Sequence, residues 1–242
     1  MRWRSSFPCD GSYEMSGGKV KCTGEHGTID LKKALQKSCN CYFAQLTEVL
    51  GAQTLETYVK QYRITEPVSF DGITTARGSF SVEDASAQQI AWAGIGQYLD
   101  TVNPCRYMTF MGVIAGGGEA AEPYIVRSAG SGIFGGYRAS KASTGRLMDQ
   151  DTAEALTALM RNNVQNQYGD DNFPGLTVCA KSGTAEVGGD RKPNATFAGF
   201  CADEEYPLAF IVVVEDAGSG AKTCVPIISE VLSACKEMMD SE

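Results

Sequence analysis

The 242-residue chain is 43% hydrophobic and 21% charged with a net charge of −8, the composition of an ordinary folded protein with a sizeable core. Lys and Arg (21) are outnumbered by Asp and Glu (29) and form no basic run, which argues against nucleic acid as a partner. The longest apolar run, Leu208 to Val214, is far too short to cross a bilayer. A single histidine leaves little room for a Ser-His-Asp triad, so nucleophilic chemistry is expected to use another base. Nine cysteines, an odd number, leave disulfides and buried free thiols both open.

The first 27 residues are rich in turn formers around a short alternating stretch, Lys19 to Thr23, and read as a hairpin. From Asp30 the pattern becomes helical: Leu31, Ala34 and Leu35 fall at i, i+3 and i+4, and Ser38 at i+7 is expected to point inward with them. A second helix carries Tyr42, Phe43, Leu46, Val49 and Leu50 on its apolar face and Gly51 as C-cap. Asn103-Pro104 starts another, which runs to Gly116-Gly117-Gly118. Without a following Lys-Ser/Thr this glycine run is a helix terminus rather than a phosphate loop. Residues 128–146, rich in Gly and Ser, read as a loop or hairpin. A helix after Asp149 and Asp151 presents Leu156, Leu159 and Met160, and three strands follow, Leu176 to Val187, Ala195 to Ala202 and Leu208 to Glu215. The last helix, from about Pro226, carries Ile227, Ile228, Val231, Leu232, Cys235, Met238 and Met239 on a face expected to cover the sheet. This order predicts an α/β (α+β) fold: a single domain over 1–242, mainly helical over 28–165, with a C-terminal sheet and helix over 166–242.

Two short motifs carry the chemistry. Ser38-Cys39-Asn40 ends the first helix, and Lys181-Ser182-Gly183-Thr184 lies in the first strand of the meander, where alternation puts Lys181 and Gly183 on one face and Ser182 and Thr184 on the other. A glycine inside a strand implies close approach of another backbone. Among the cysteines, Cys9 and Cys22 flank a predicted turn and suit a disulfide closing the hairpin. Cys9, Cys22, His26, Cys39 and Cys41 together offer zinc donors, but spacings of C-x12-C and C-x-C match no common structural pattern, so no metal is expected. Cys179, Cys201 and Cys235 read as buried thiols, and His26 as structural.

In order and setting, these motifs resemble the penicillin-binding protein transpeptidases and related serine β-lactamases, whose set is S-x-x-K, S-x-N and K-[ST]-G. The run from His26-Gly27 through Ser38-Cys39-Asn40-Cys41-Tyr42-Phe43 is similar to the S-x-N region of the class B enzymes. So are Gly94-Ile95-Gly96-Gln97 and the helix ending at Ile114-Ala115-Gly116-Gly117 before Pro123-Tyr124-Ile125-Val126. Lys181 to Glu186, with Phe197-Ala198-Gly199-Phe200 and Val212 to Glu215, resembles that family's sheet. The resemblance implies a β-lactamase/transpeptidase-like fold, an antiparallel sheet flanked by helices plus a helical subdomain. It implies that Ser38 relays a proton, that Asn40 binds the substrate amide and the catalytic lysine, and that Lys181 sets the electrostatics and assists Ser38. The Ser182 and Thr184 hydroxyls would hold the carboxylate of a D-Ala-D-Ala stem peptide or a β-lactam. The Thr184 N–H would serve the oxyanion hole, and the strand edge at Gly183 would accept the extended substrate.

The nucleophile is the expected gap. Only 37 residues precede Ser38, and they read as hairpin and loop, whereas the family's S-x-x-K serine lies several dozen residues before S-x-N. Ser16-Gly17-Gly18-Lys19 is hostile to a helix, Ser219-Gly220-Ala221-Lys222 reads as loop, and Ser233-Ala234-Cys235-Lys236 falls on a solvated helix face. The chain is therefore expected to be a fragment cut after the S-x-x-K helix. Its parent would be a D,D-transpeptidase anchored outside the cytoplasmic membrane, needing no cofactor. A serine β-lactamase is disfavoured because no Glu-x-x-Leu-Asn lies between Asn40 and Lys181. A non-catalytic scaffold that keeps the fold is the remaining alternative.

Overall fold

The computed structural model describes residues 5–130 and 136–241. The chain opens with a long antiparallel hairpin, β1 (Ser6–Met15) and β2 (Gly18–Asp30), whose register slips between Cys9 and Asp10 and again between Asp10 and Ser12. Three helices follow, α1 (Leu31–Lys37), α2 (Asn40–Leu50) and α3 (Ala52–Gln61). Next come a two-residue ribbon of β3 (Ser69–Phe70) and β4 (Ile73–Thr74), then α4 (Ala87–Gly94) and α5 (Pro104–Ala115). A second small ribbon joins β5 (Ser128–Ala129) to β6 (Tyr137–Arg138), within the stretch read as loop or hairpin; residues 131–135 of that stretch lie outside the described residues. The chain continues through α6 (Gln150–Asn163), the antiparallel sheet β7 (Val178–Ala185), β8 (Asn194–Cys201) and β9 (Ala209–Val214), and α7 (Gly220–Asp240).

The sheet is covered on both faces. Val178, Ala180, Ala195 and Phe197 face α7, meeting Cys224, Val225, Ile228 and Leu232, while Cys179, Ala198 and Phe200 pack with Met111, Val113 and Ile114 of α5 and Ala153 and Met160 of α6. Helices on both faces of an antiparallel sheet, with a separate helical and hairpin part, are the architecture expected from the sequence. The hairpin is held to α1 and α2 by its own cluster, in which Cys9 and Ile29 meet Ala34, Cys39, Cys41 and Tyr42.

Local chemistry explains most boundaries. Asp30 caps α1, its carboxylate accepting the Lys33 N–H at 2.8 Å. Asp30→Ala is expected to cost about 0.5–2 kcal/mol, read as a lowered urea midpoint. Asn103 caps α5 and Gly116 ends it, as expected.

Three expectations are corrected. The buried side of α2 is Cys41, Tyr42, Ala44, Gln45 and Thr47, and Val49 is 61% exposed, because the helix faces the hairpin rather than the larger core. Helix α7 begins at Gly220, six residues before Pro226, and Ser219 is its N-cap rather than part of a loop. Its buried stripe is narrower than the sequence face, with Ile227, Val231 and Met238 exposed.

Candidate active site

Helix α1 stops at Ser38 without glycine. Ser38 adopts the left-handed conformation (φ 50°, ψ 49°), and the Cys39 N–H closes the turn onto Ala34 O at 2.9 Å. This conformation costs a non-glycine residue about 1 kcal/mol. It also overturns the inward placement expected for Ser38: the helix ends one residue too early for Ser38 to continue its apolar face. The serine is exposed, and Cys39 is the residue turned into the core.

Ser38 meets Lys181, 143 residues further along the chain, with Lys181 Nζ donating to Ser38 Oγ at 2.6 Å and to Ser182 O at 2.6 Å. Ala198, directly across the sheet from Lys181, belongs to the layer packed on α5 and α6, so strand alternation sends the lysine toward the helical side where α1 ends. Burial pushes the Lys181 ammonium down from 10.5 to about 8. An amine in that range exchanges a proton with a bonded hydroxyl near neutrality, as a general acid or base must.

Ser182 and Thr184 lie on the opposite face, as alternation requires, and both hydroxyl oxygens are already accepting. Ser182 Oγ accepts from the Tyr168 hydroxyl at 3.0 Å, and Thr184 Oγ1 accepts from the Gly220 N–H at 3.1 Å. Each hydroxyl proton is thus left to donate, the polarity an acceptor-only carboxylate needs. Asn40 donates its amide to Lys21 O at 3.0 Å, tying the start of α2 to the hairpin. Gly183 pairs with Thr196, and a Cβ there would fall 2.3 Å from Thr196 Oγ1, so the glycine answers a cross-strand side chain rather than the approaching backbone expected from the sequence.

The outer edge of β7 is partly covered. Arg161 donates to Val178 O (3.1 Å), Asn163 to Ala180 O (3.2 Å), and the Ser182 N–H donates to Tyr168 (2.9 Å). Residues 178, 180 and 182 therefore turn their backbone groups outward, while Thr177 O bonds inward to Ala202 N. The register is unbroken, so Thr184 is the next residue of the outward set, where the end of α6 no longer covers the edge. An N–H at that position can receive a substrate oxygen or an added strand.

Sequence reading missed Tyr168. It sits in a π-helical extension of α6 (Val164–Tyr168), and its ring packs edge-on against Phe197 at 5.0 Å. Tyr168→Phe leaves the Ser182 N–H without its acceptor and is expected to cost about 1–3 kcal/mol, measured by chemical unfolding.

Comparison with known proteins assigns the family. The family model described as the penicillin binding protein transpeptidase domain matches residues 4–233. Peptidoglycan D,D-transpeptidase PbpA of Mycobacterium tuberculosis is 28% identical over 234 residues, covering 90% of this chain and 46% of that protein. Stage V sporulation protein D of Bacillus subtilis is 24% identical, covering 95% and 38%. The chain thus spans about half the length, or less, of these relatives. Among solved structures, a ceftriaxone acyl-enzyme complex of penicillin-binding protein A from M. tuberculosis superposes with a TM-score of 0.86 at 23% identity, covering 97% of this chain and 56% of that one. A D,D-transpeptidase domain from Eggerthella lenta gives 0.85 at 22% identity, covering 98% and 60%. The S-x-N serine hydrogen-bonded to the K-S-G lysine, in a chain matched almost end to end, places this protein in the penicillin-binding protein transpeptidase domain family.

Proposed function

We propose that this chain supplies the S-x-N and K-S-G parts of a peptidoglycan D,D-transpeptidase, which transfers acyl groups on D-Ala-D-Ala stem peptides and is acylated by β-lactams. The observation that carries the reading is the 2.6 Å contact between Lys181 Nζ and Ser38 Oγ, which brings two distant motifs to one point. In this reading neutral Lys181 draws on the Ser38 proton, and Ser38 passes a proton between the acylated serine and the leaving group. Ser182 and Thr184 donate to the substrate carboxylate, and the open edge at Thr184 aligns the peptide. Lysine alone carries the base role, since the single histidine, His26, lies in the hairpin. The parent acts outside the cytoplasmic membrane, tethered there; among the described residues no helix is long and apolar enough to cross a membrane.

The acylated serine is assigned outside these motifs. None of Ser16, Ser219 and Ser233 bonds to Lys181: Ser16 lies in the hairpin turn, Ser219 caps α7 and Ser233 lies within it. The test is labelling with a fluorescent penicillin. The expected result is no stable label on the 242-residue chain, and a label once the coding segment upstream of Met1 is restored, on a Ser-x-x-Lys serine. A label on the chain alone, mapped to Ser38 or to another internal serine, overturns this division of roles. Absence of label on the restored protein overturns the transpeptidase reading in favour of a scaffold, and rapid nitrocefin turnover overturns it in favour of a β-lactamase.

A further inference from the structure

Side chains from the end of α6 close the outer edge of β7 one outward residue after another. Val178 O accepts from Arg161, and Ala180 O accepts from Asn163. At Ser182 both backbone groups are engaged: the N–H donates to the Tyr168 hydroxyl at 2.9 Å, and the carbonyl accepts from Lys181 Nζ at 2.6 Å. The closure ends there, and Thr184 is the next residue of the outward set. Tyr168 reaches the strand from a π-helical turn, an uncommon geometry that recurs at functional sites. Its ring is anchored edge-on against Phe197, and burial raises its pKa from 10.0, so the hydroxyl keeps its proton near neutrality.

That hydroxyl is fully committed. It accepts from the Ser182 N–H and donates its one proton to Ser182 Oγ, and among the described residues it has no other acceptor. Ser182 cannot donate back without stranding the tyrosine proton, so the serine proton is turned away from Tyr168. Thr184 Oγ1 is held in the same sense by the Gly220 N–H.

We propose that Tyr168 is a positioning residue that makes the site read a chain end, by holding the Ser182 hydroxyl as a donor to a terminal carboxylate and by ending the open edge of β7 at Thr184. This role rests on the transpeptidase reading and names what selects the end of the substrate. A strand added antiparallel to β7 runs its C-terminal end toward Ser182. A terminal residue fits there, because its carboxylate receives the two hydroxyl protons and nothing follows it. An internal segment would carry further residues past Ser182, where the backbone groups are already taken and Tyr168 occupies the edge.

The test compares acylation rates for a fluorescent penicillin and its methyl ester, in the protein that includes the acylated serine. The ester keeps acceptor oxygens but not the charge that strengthens a hydrogen bond. Every arm is run reduced, since all nine thiols are free and the expected Cys9–Cys22 disulfide is not formed. Wild type is expected to prefer the acid, and Tyr168→Phe to shrink that preference by about 10-fold or more. In a Ser182→Ala background the same substitution should shrink it no further, because Tyr168 acts through Ser182. Amide exchange in the wild-type 242-residue chain supplies a check that needs no variant to fold: the Ser182 N–H should be protected and the Thr184 N–H should exchange fast. An equal fall for acid and ester, or a further loss in the Ser182→Ala background, overturns the positioning role and leaves the transpeptidase reading standing. Fast exchange at Ser182 overturns the closed edge. Wild type that neither probe labels removes the transpeptidase reading, and this role with it.

Discussion

Lys181→Met is expected to cut β-lactam acylation by about 10²- to 10⁴-fold in the protein that includes the acylated serine, while making the fold more stable at neutral pH. The two effects share one cause. Burial holds the ammonium at about 8 against 10.5 in the unfolded chain, so between these values the unfolded state binds more protons. Wild-type stability therefore rises with pH across that window, and below pH 8 the folded protein bears the whole cost. A depression of this size corresponds to roughly 3 kcal/mol, reduced to about 1–3 kcal/mol by the lysine's partial exposure and its two short hydrogen bonds. Methionine keeps most of the volume and removes the charge. Its stability advantage should be greatest below pH 8 and fade by about pH 10.5, read as the difference in urea midpoints through the series. A difference that does not vary with pH would rule out desolvation as the cause.

That coupling of motif to environment also separates what could be read in the sequence from what could not. Lys181-Ser182-Gly183-Thr184 was legible because strand alternation is strict, so the two faces of β7 followed from residue order alone. The caps Asp30 and Asn103 were legible because a side-chain acceptor beside a helical pattern is a local signal. Ser38 was half legible: its motif named it, but helical periodicity sent it inward, since no glycine announces the left-handed turn. Pro226 misled because proline suits a first helical turn, whereas here α7 starts earlier at the Ser219 cap and carries the proline inside. Tyr168 gave no signal, because its role depends on the end of α6 passing the edge of β7, a contact between distant segments. The cysteine cluster hid for a related reason. Its side chains are gathered by a hairpin whose two register slips set Cys9 opposite Gly27 and bring it beside Cys22 and His26, and by the turn that swings Cys39 inward.

Gly220→Ala carries the second large effect, and it acts on the site from the far face of the sheet. A glycine at the start of a helix would ordinarily gain from alanine, up to about 1 kcal/mol. Here a Cβ would fall 2.0 Å from Gly183 O, 2.8 Å from Thr196 O and 2.9 Å from Gly183 C. All three are backbone atoms of paired strands, so no side chain can turn aside. The Gly220 backbone is not left-handed, which leaves space as the whole of the argument. Overpacking of this kind costs about 1–3 kcal/mol and outweighs the helical gain. Relief requires β7 to move, and with it Lys181 relative to Ser38 and the Thr184 hydroxyl that accepts the Gly220 N–H. The variant should thus lose stability and, in the acylatable protein, lose labelling at concentrations where it is still folded. Gly112→Ala in α5 is the control with opposite sign: its Cβ would meet Ala120 Cβ at 3.4 Å and Ala209 Cβ at 3.9 Å, near-ordinary contacts inside a helix. It should gain about 0.5–1 kcal/mol and leave labelling unchanged. If both variants shifted the urea midpoint in the same direction, helix propensity rather than the approach of α7 to β7 would govern Gly220, and the coupling of that helix start to the K-S-G strand would fail.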